Sequence, residues 1–357
     1  MNSGFWSGRK VLVTGHTGFK GSWLCLWLHR AGAKVVGYAL DPPTQPSLFE
    51  SAEVAKLVES IRGDIRELER LTDVIRRHAP EVVFHFAAQS IVRASYDDPI
   101  ETYSTNVVGT ATVFQALRNA GGARTVVNVT TDKVYRNHEW VWGYRENDEL
   151  GGHDPYSNSK ACAELVTQAF RDSFFPVANI REHRVAIATA RAGNVIGGGD
   201  WTADQLIPDV VRAFSAHKPV MIRQPKSVRP WQHVLDCLSG YILLAERLHG
   251  AGAELSGAWN FGPDLADARP VEWLVDALVK SWGGDAAWKL DAGAHPHEAQ
   301  LLRLDSSKAG KGLGWRPRLG LAEALAWTAQ WYKSYLTQGR ARELCLEQID
   351  RYGRLGA

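Results

Sequence analysis

Short apolar, β-branched runs alternate with longer amphipathic stretches through the first half of the chain. Val11–Thr14, Val35–Leu40, Val82–Phe86, Thr125–Thr130 and Val185–Ala190 read as buried strands. Ser22–Ala31, Glu67–Arg77, Val107–Asn119 and Ser157–Phe170 lie between them and carry the helical period. This alternation predicts an α/β fold, a doubly wound parallel sheet with helices on both faces. Ligands of such sheets bind outside the carboxyl ends of the strands. After about Gly193 the rhythm loosens into a glycine-rich break, "GNVIGGGDW", then irregular segments, a helix near Val234–Leu248 and a helical tail. The expected division is a dinucleotide-binding domain over 1–193, joined by part of 230–262, and a smaller mixed α/β substrate domain over 194–357.

Composition narrows the function. The 357 residues carry a net charge of +2, with Lys and Arg scattered along the chain. Neither a nucleic acid nor an anionic membrane is expected as partner. The four cysteines are far apart and form no CxxC pair, so neither a metal site nor a disulfide framework is expected. No stretch approaches the roughly 18 apolar residues of a membrane span, and the N-terminus lacks an apolar signal core. A cytoplasmic location is the expectation.

"VLVTGHTGFKG" sets Gly15, Gly18 and Gly21 directly after a strand and at the start of a helix. Glycines there let backbone N–H groups approach a pyrophosphate, which then sits on the helix N-terminus. Asp41 ends the next strand, where a carboxylate hydrogen-bonds the adenosine ribose. The following "PPTQPSLFE" offers no Arg for a 2′-phosphate, which favours NAD over NADP. Lys20 reads either as a phosphate neighbour or as a solvated side chain.

"YSNSK" puts Tyr156 and Lys160 four residues apart, hence on one helical face. A cation about 4 Å from the phenol, at an effective dielectric near 20, is worth about 4 kcal/mol. That equals about three pKa units, enough to bring a tyrosine from about 10 toward 7. Such a pair can deprotonate a sugar hydroxyl as its carbon gives up hydride. "TTDKVY" adds an acid and a base, Asp132 and Lys133, at the end of a strand. They are either a solvated turn or a catalytic pair.

Taken in order, "GHTGFKG", "GDI", "FHFAAQS", "TNVVGT", "TTDKVY" and "YSNSK" resemble the extended short-chain dehydrogenase/reductase family, in its nucleotide-sugar-modifying branch. The resemblance spans nearly the whole chain and implies a Rossmann-type sheet binding NAD. By resemblance Thr17, Phe19, Asp64, Ile65, Ala87, Ala88 and Gln89 join the glycines, Lys20 and Asp41 around the cofactor, and Asn106 is structural support. His85 reads as a core histidine rather than a catalyst. "RAGNVIGGGDW" and "SVRPWQHV" match the substrate half, which implies that Ser90, Asn194, Trp201 and Arg229 contact a nucleotide-sugar substrate. An Arg fork suits a diphosphate, and a surface Arg is the alternative. The two central helices resemble those through which the family pairs, implying a homodimer or tetramer.

Epimerases of this branch usually carry small hydroxyl residues where this chain has Thr131-Asp132-Lys133, and 4,6-dehydratases carry Thr-Asp-Glu. Asp132 therefore points to a dehydratase. Lys133 in place of Glu, together with "GHTGFKG", "GGGDW" and "RPWQHV", makes the chain look most like the dehydratases acting on CDP-glucose, with a place in deoxysugar biosynthesis. The implied reaction oxidises C4, loses water across C5 and C6, and returns the hydride to C6. Tyr156 takes the 4-hydroxyl proton, Thr131 holds that hydroxyl, and Asp132 protonates the departing 6-hydroxyl. Lys133 stands where the C5 base belongs, which requires the chain to leave strand geometry, because consecutive strand residues face opposite ways. A 4-epimerase, a dehydratase of another nucleotide sugar, and a non-catalytic dinucleotide sensor are the competing readings.

Overall fold

The computed structural model describes residues 2–252, 254–293 and 300–356. Seven parallel strands form one sheet: β1 (Lys10–Thr14), β2 (Lys34–Ala39), β3 (Glu59–Arg62), β4 (Val82–His85), β5 (Thr125–Val129), β6 (Ala186–Arg191) and β7 (Gly257–Asn260), in the order β7-β6-β5-β4-β1-β2-β3. Alternation along β1 shows how both faces are used. Val11 and Val13 enter one core and Leu12 the other.

Helices α1 (Phe19–Arg30) and α5 (Val234–Ala251) cover the first face, and α2 (Leu68–His78) and α3 (Gly109–Ala120) cover the second. Helix α4 (Pro155–Phe174) packs beside α3. The C-terminal helices Leu321–Gln338 and Ala341–Arg354 fold back on the first core, bringing Trp327, Trp331, Tyr332 and Tyr352 against it. Trp6 and Trp23 are also fully buried, so much of the tryptophan content is core.

The five expected strands and four expected helices are present, with bounds shifted by a few residues. The expected helix over Val107–Asn119 begins earlier, as a π-helical turn at Ser104–Val108. That turn points the Asn106 amide at a loop. It accepts from the Gln89 N–H at 2.9 Å and donates to the Gln89 carbonyl and to Ser159 Oγ, both at 2.9 Å. Two strands escaped the sequence pattern. β3, "ESIR", is a half-exposed edge strand, and β7, "GAWN", has only four residues and earns its place by pairing with β6.

Beyond β6 the chain builds two-stranded ladders over the carboxyl ends of the sheet. Val195–Ile196 pairs with Gln232–His233, Val228–Arg229 with Arg269–Pro270, and Val220–Ile222 with Trp288–Leu290. Among the described residues no helix is long and apolar enough to cross a membrane. Nor do those residues hold a cluster of three or more His, Cys, Asp or Glu side chains suited to a metal ion.

Candidate active site

A cleft of about 1270 Å³ opens between the carboxyl ends of the strands and the ladders above them. Gly15, Thr17, Gly18, Phe19, Lys20, Gly21, Asp41, Asp64, Ile65, Ala87, Ala88 and Ser90 line one end. Thr131, Asp132, Lys133, Tyr156, Lys160, Asn194 and Arg229 line the other. Two expected residues lie elsewhere. The Gln89 amide is consumed by its own loop, donating to the Ile91 carbonyl at 3.1 Å and to Thr102 Oγ1 at 2.9 Å. Trp201 packs edge-on against Tyr332, at 5.3 Å between ring centres, so its ring stabilises the C-terminal helices instead.

The dinucleotide end is made of backbone. Gly15 has φ +75°, and a Cβ there would lie 2.6 Å from the Ala87 nitrogen, so no side chain fits. Helix α1 starts at Phe19 with no side chain capping its first turn. Its free N–H groups, with Lys20 beside them, suit a pyrophosphate. Asp41 is largely exposed and accepts from Arg62 Nε at 2.7 Å. The Arg at this carboxylate is delivered by β3, not by the residues after Asp41. Asp64 is held by Arg66, whose hydrogen bonds keep its carboxyl below the usual range against the opposing effect of burial. His85 is buried and paired on both ring nitrogens, to Thr14 Oγ1 at 2.7 Å and Thr110 Oγ1 at 3.2 Å, and burial lowers it to about 3.

The other end is made of side chains. β5 stops at Val129, and Asp132–Val134 turns as one 3-10 helix, so the acid and base do leave strand geometry. Asp132 is fully buried. Its Oδ1 accepts from Thr131 Oγ1 at 3.0 Å, while Oδ2 has no hydrogen-bond partner among the described residues. Burial raises its carboxyl, against Lys133, the Thr131 hydroxyl, Arg229 and Lys20. Room for that carboxyl depends on Gly193, where a Cβ would sit 2.5 Å from Asp132 Oδ2 and 2.6 Å from Pro230 Cγ. Nothing local in the sequence marks Gly193, whose backbone is ordinary; only the fold brings Asp132 against it. Asp200, a half-buried carboxyl in the cleft wall accepting from the Thr202 N–H at 3.0 Å, likewise has no signal in the sequence.

Asp154 caps α4 by accepting from the Ser157 N–H at 2.9 Å, and Pro155 occupies the first turn. This start fixes Tyr156 in the first turn and Lys160 one turn on. Burial dominates both. It pushes the Tyr156 phenol well above its usual value, against a hydrogen bond with Thr131. It lowers Lys160 to about 7, aided by Lys20 and opposed by Glu164. Lys160 Nζ donates to the Val129 carbonyl at 3.2 Å. Burial thus opposes the downward pull on Tyr156 expected from Lys160, because both groups lose hydration together.

The model of the GDP-mannose 4,6 dehydratase family matches residues 12–328. The chain belongs to this family. It is 57% identical to the CDP-glucose 4,6-dehydratase of Salmonella typhimurium over 336 residues, covering 94% of each chain. Among solved structures, MoeE5 in complex with UDP-glucose and NAD superposes with a TM-score of 0.76 at 27% identity, covering 92% of this chain and 99% of that one. The DesIV double mutant, a dTDP-glucose 4,6-dehydratase from Streptomyces venezuelae with NAD and DAU bound, gives 0.75 at 25% identity, covering 91% and 97%. Family membership agrees with the motif-by-motif resemblance of the sequence to the nucleotide-sugar-modifying branch of the extended short-chain dehydrogenase/reductase family.

Proposed function

We propose that this protein is an NAD-dependent dehydratase converting CDP-D-glucose to CDP-4-keto-6-deoxy-D-glucose. The observation that carries the reading is Asp132, a buried carboxyl with a free oxygen and a raised pKa, in one cleft with Tyr156 and Lys160. An epimerase has no use for such an acid. The nucleotide follows from the 57% identity to a CDP-glucose enzyme.

The residues present fit a dinucleotide. Gly15, Thr17, Gly18, Phe19, Lys20 and Gly21 would hold the pyrophosphate, Asp41 the adenosine ribose, Asp64 and Ile65 the adenine, and Ala87 and Ala88 the wall of the cleft. The chemistry NAD supplies when bound is reversible hydride transfer, taken from C4 of the sugar and returned at C6. The side chains move the protons. Tyr156 takes the 4-hydroxyl proton, with Thr131 holding that oxygen. Lys160, one turn along the helix and lowered by burial, would take the proton Tyr156 must shed. The 4-ketone makes the C5 hydrogen acidic, and Lys133 removes it. Asp132 gives its proton to the departing 6-hydroxyl, and water leaves. Burial of Asp132 favours its protonated form, as the acid role requires. Asn194 and Arg229 bind the nucleotide diphosphate and Ser90 contacts the substrate, the buried Asn194 Oδ1 having no hydrogen-bond partner among the described residues.

Two copies are inferred to pair through the face carrying Val108 and Leu165, both more than half exposed. Leu165→Glu should then sediment as a monomer, and an unchanged oligomer would remove this face from the interface. The substrate is tested by offering CDP-, dTDP- and UDP-glucose and GDP-mannose with NAD, and reading the alkali absorbance of a 4-keto sugar. Signal from CDP-glucose alone supports the reading. Signal from another nucleotide, or a 4-epimer in place of the ketosugar, overturns it.

A further inference from the structure

One buried ion pair belongs to neither end of the cleft. Glu164 and Arg191 are each 4% exposed in their side chains and meet at 2.9 Å. Glu164 lies on α4, one turn beyond Lys160 and two beyond Tyr156, on the same face. Arg191 ends β6.

The pair is fully hydrogen-bonded, and its partners form a pattern. Arg191 Nε and Nη2 donate to the two Glu164 oxygens, each at 2.9 Å. Thr130 Oγ1 donates to Glu164 Oε1 at 2.5 Å, and Thr189 Oγ1 to Oε2 at 2.7 Å. Arg191 Nη1 donates to Tyr135 Oη at 2.8 Å and to the Glu146 carbonyl at 3.2 Å. Tyr135 Oη donates onward to Asn260 Oδ1 at 2.7 Å, on β7. Thr130 and Tyr135 are the residues on either side of the turn that contains Thr131, Asp132 and Lys133. One ion pair thus grips both ends of the reactive turn and ties them to the helix that carries Tyr156 and Lys160.

Stability does not account for this arrangement. Desolvating two charges offsets most of their attraction, and apolar replacements of such pairs are often as stable. What a forked Arg–carboxylate pair provides is direction. We propose that Glu164 and Arg191 are positioning residues for the dehydration step: they hold Asp132 and Lys133 in register with the sugar that Tyr156 has oxidised. The inference rests on the dehydratase reading given above. Tyr156 and Lys160 are placed by their own capped helix, so oxidation at C4 depends on the clamp much less than elimination across C5 and C6 does.

The test separates the two steps in the NAD-loaded enzyme with CDP-glucose. Reduced-nicotinamide absorbance in a single turnover reports oxidation, and ketosugar release reports elimination. In Glu164→Gln/Arg191→Met no lone charge is left buried. Elimination should fall about 10- to 100-fold, the usual cost of a displacement of about 1 Å. Oxidation should stay within about threefold, so reduced nicotinamide accumulates where the wild type shows little. Thr130→Val/Tyr135→Phe leaves the ion pair in place and loosens only its hold on the turn, and should give the same accumulation if the first variant does not fold. Equal loss of both steps, or no loss of either, in the folded variant overturns the clamp. A wild-type enzyme that makes no ketosugar overturns the dehydratase reading and this inference with it.

Discussion

At the dinucleotide end of the cleft the chain presents backbone: the Gly15 turn, the uncapped first turn of α1 and the strand ends. At the sugar end it presents side chains from separate elements: Asp132 from the turn after β5, Tyr156 and Lys160 from α4, and Asn194 and Arg229 from the ladders. The first kind of site depends on where glycine is allowed. The second depends on burial, because desolvation raises Asp132 and Tyr156 and lowers Lys160. In the proposed reaction, recognition of the cofactor and choice of chemistry thereby rest on different physical terms.

A single methyl group at each end breaks the comparison differently. Gly15→Ala places a Cβ in a left-handed backbone and 2.6 Å from the Ala87 nitrogen. It should destabilise the fold by about 1–3 kcal/mol, and NAD affinity should fall with it. Thermal unfolding and a titration of NAD by tryptophan fluorescence check both. Gly193→Ala has no backbone strain but meets the Asp132 carboxylate at 2.5 Å. NAD affinity should stay near wild type while ketosugar formation drops about tenfold, consistent with a misplaced proton donor. Loss of NAD binding in Gly193→Ala would show that the two ends are not separable.

Asp236 offers a smaller and opposite case, a buried carboxyl with its donors supplied. It accepts from Tyr352 Oη and the Arg318 N–H, each at 2.7 Å, and from the Leu319 N–H at 3.3 Å. Burial nevertheless raises it from 3.8 to about 6, the hydrogen bonds opposing. The folded protein therefore keeps a proton that the unfolded chain releases. The associated stability is full below about pH 4 and is lost as pH rises through about 6. Asp236→Asn should flatten the Tm profile across that window without altering the ratio of oxidation to elimination. An unchanged profile would mean that Asp236 titrates normally in the fold.

The sequence was most legible where local pattern and structure coincide. β1 with "TGHTGFKG", the five apolar strands and the Tyr156/Lys160 pair are each contained within one element. It was silent where partners come from distant segments. Arg62 reaches Asp41 from β3, an edge strand too exposed to show an apolar run. Gly193 matters only because Asp132 folds against it, and the Glu164–Arg191 clamp joins α4 to β6. Gln89 and Trp201 show the converse: motif position put them at the site, and nearby hydrogen-bond and packing partners took their side chains elsewhere. The Tyr156/Lys160 spacing is legible in the sequence, but the burial that opposes the charged form of both groups is not.

The most direct measurement is a single turnover of Asp132→Asn with NAD and CDP-glucose, following reduced nicotinamide and ketosugar together. Reduced nicotinamide should form at a rate close to wild type and persist, with ketosugar formation slowed about 100-fold, within the range of a lost general acid. Ketosugar at the wild-type rate, or failure to reduce the nicotinamide at all, would contradict the assignment of Asp132 as the acid of the dehydration step.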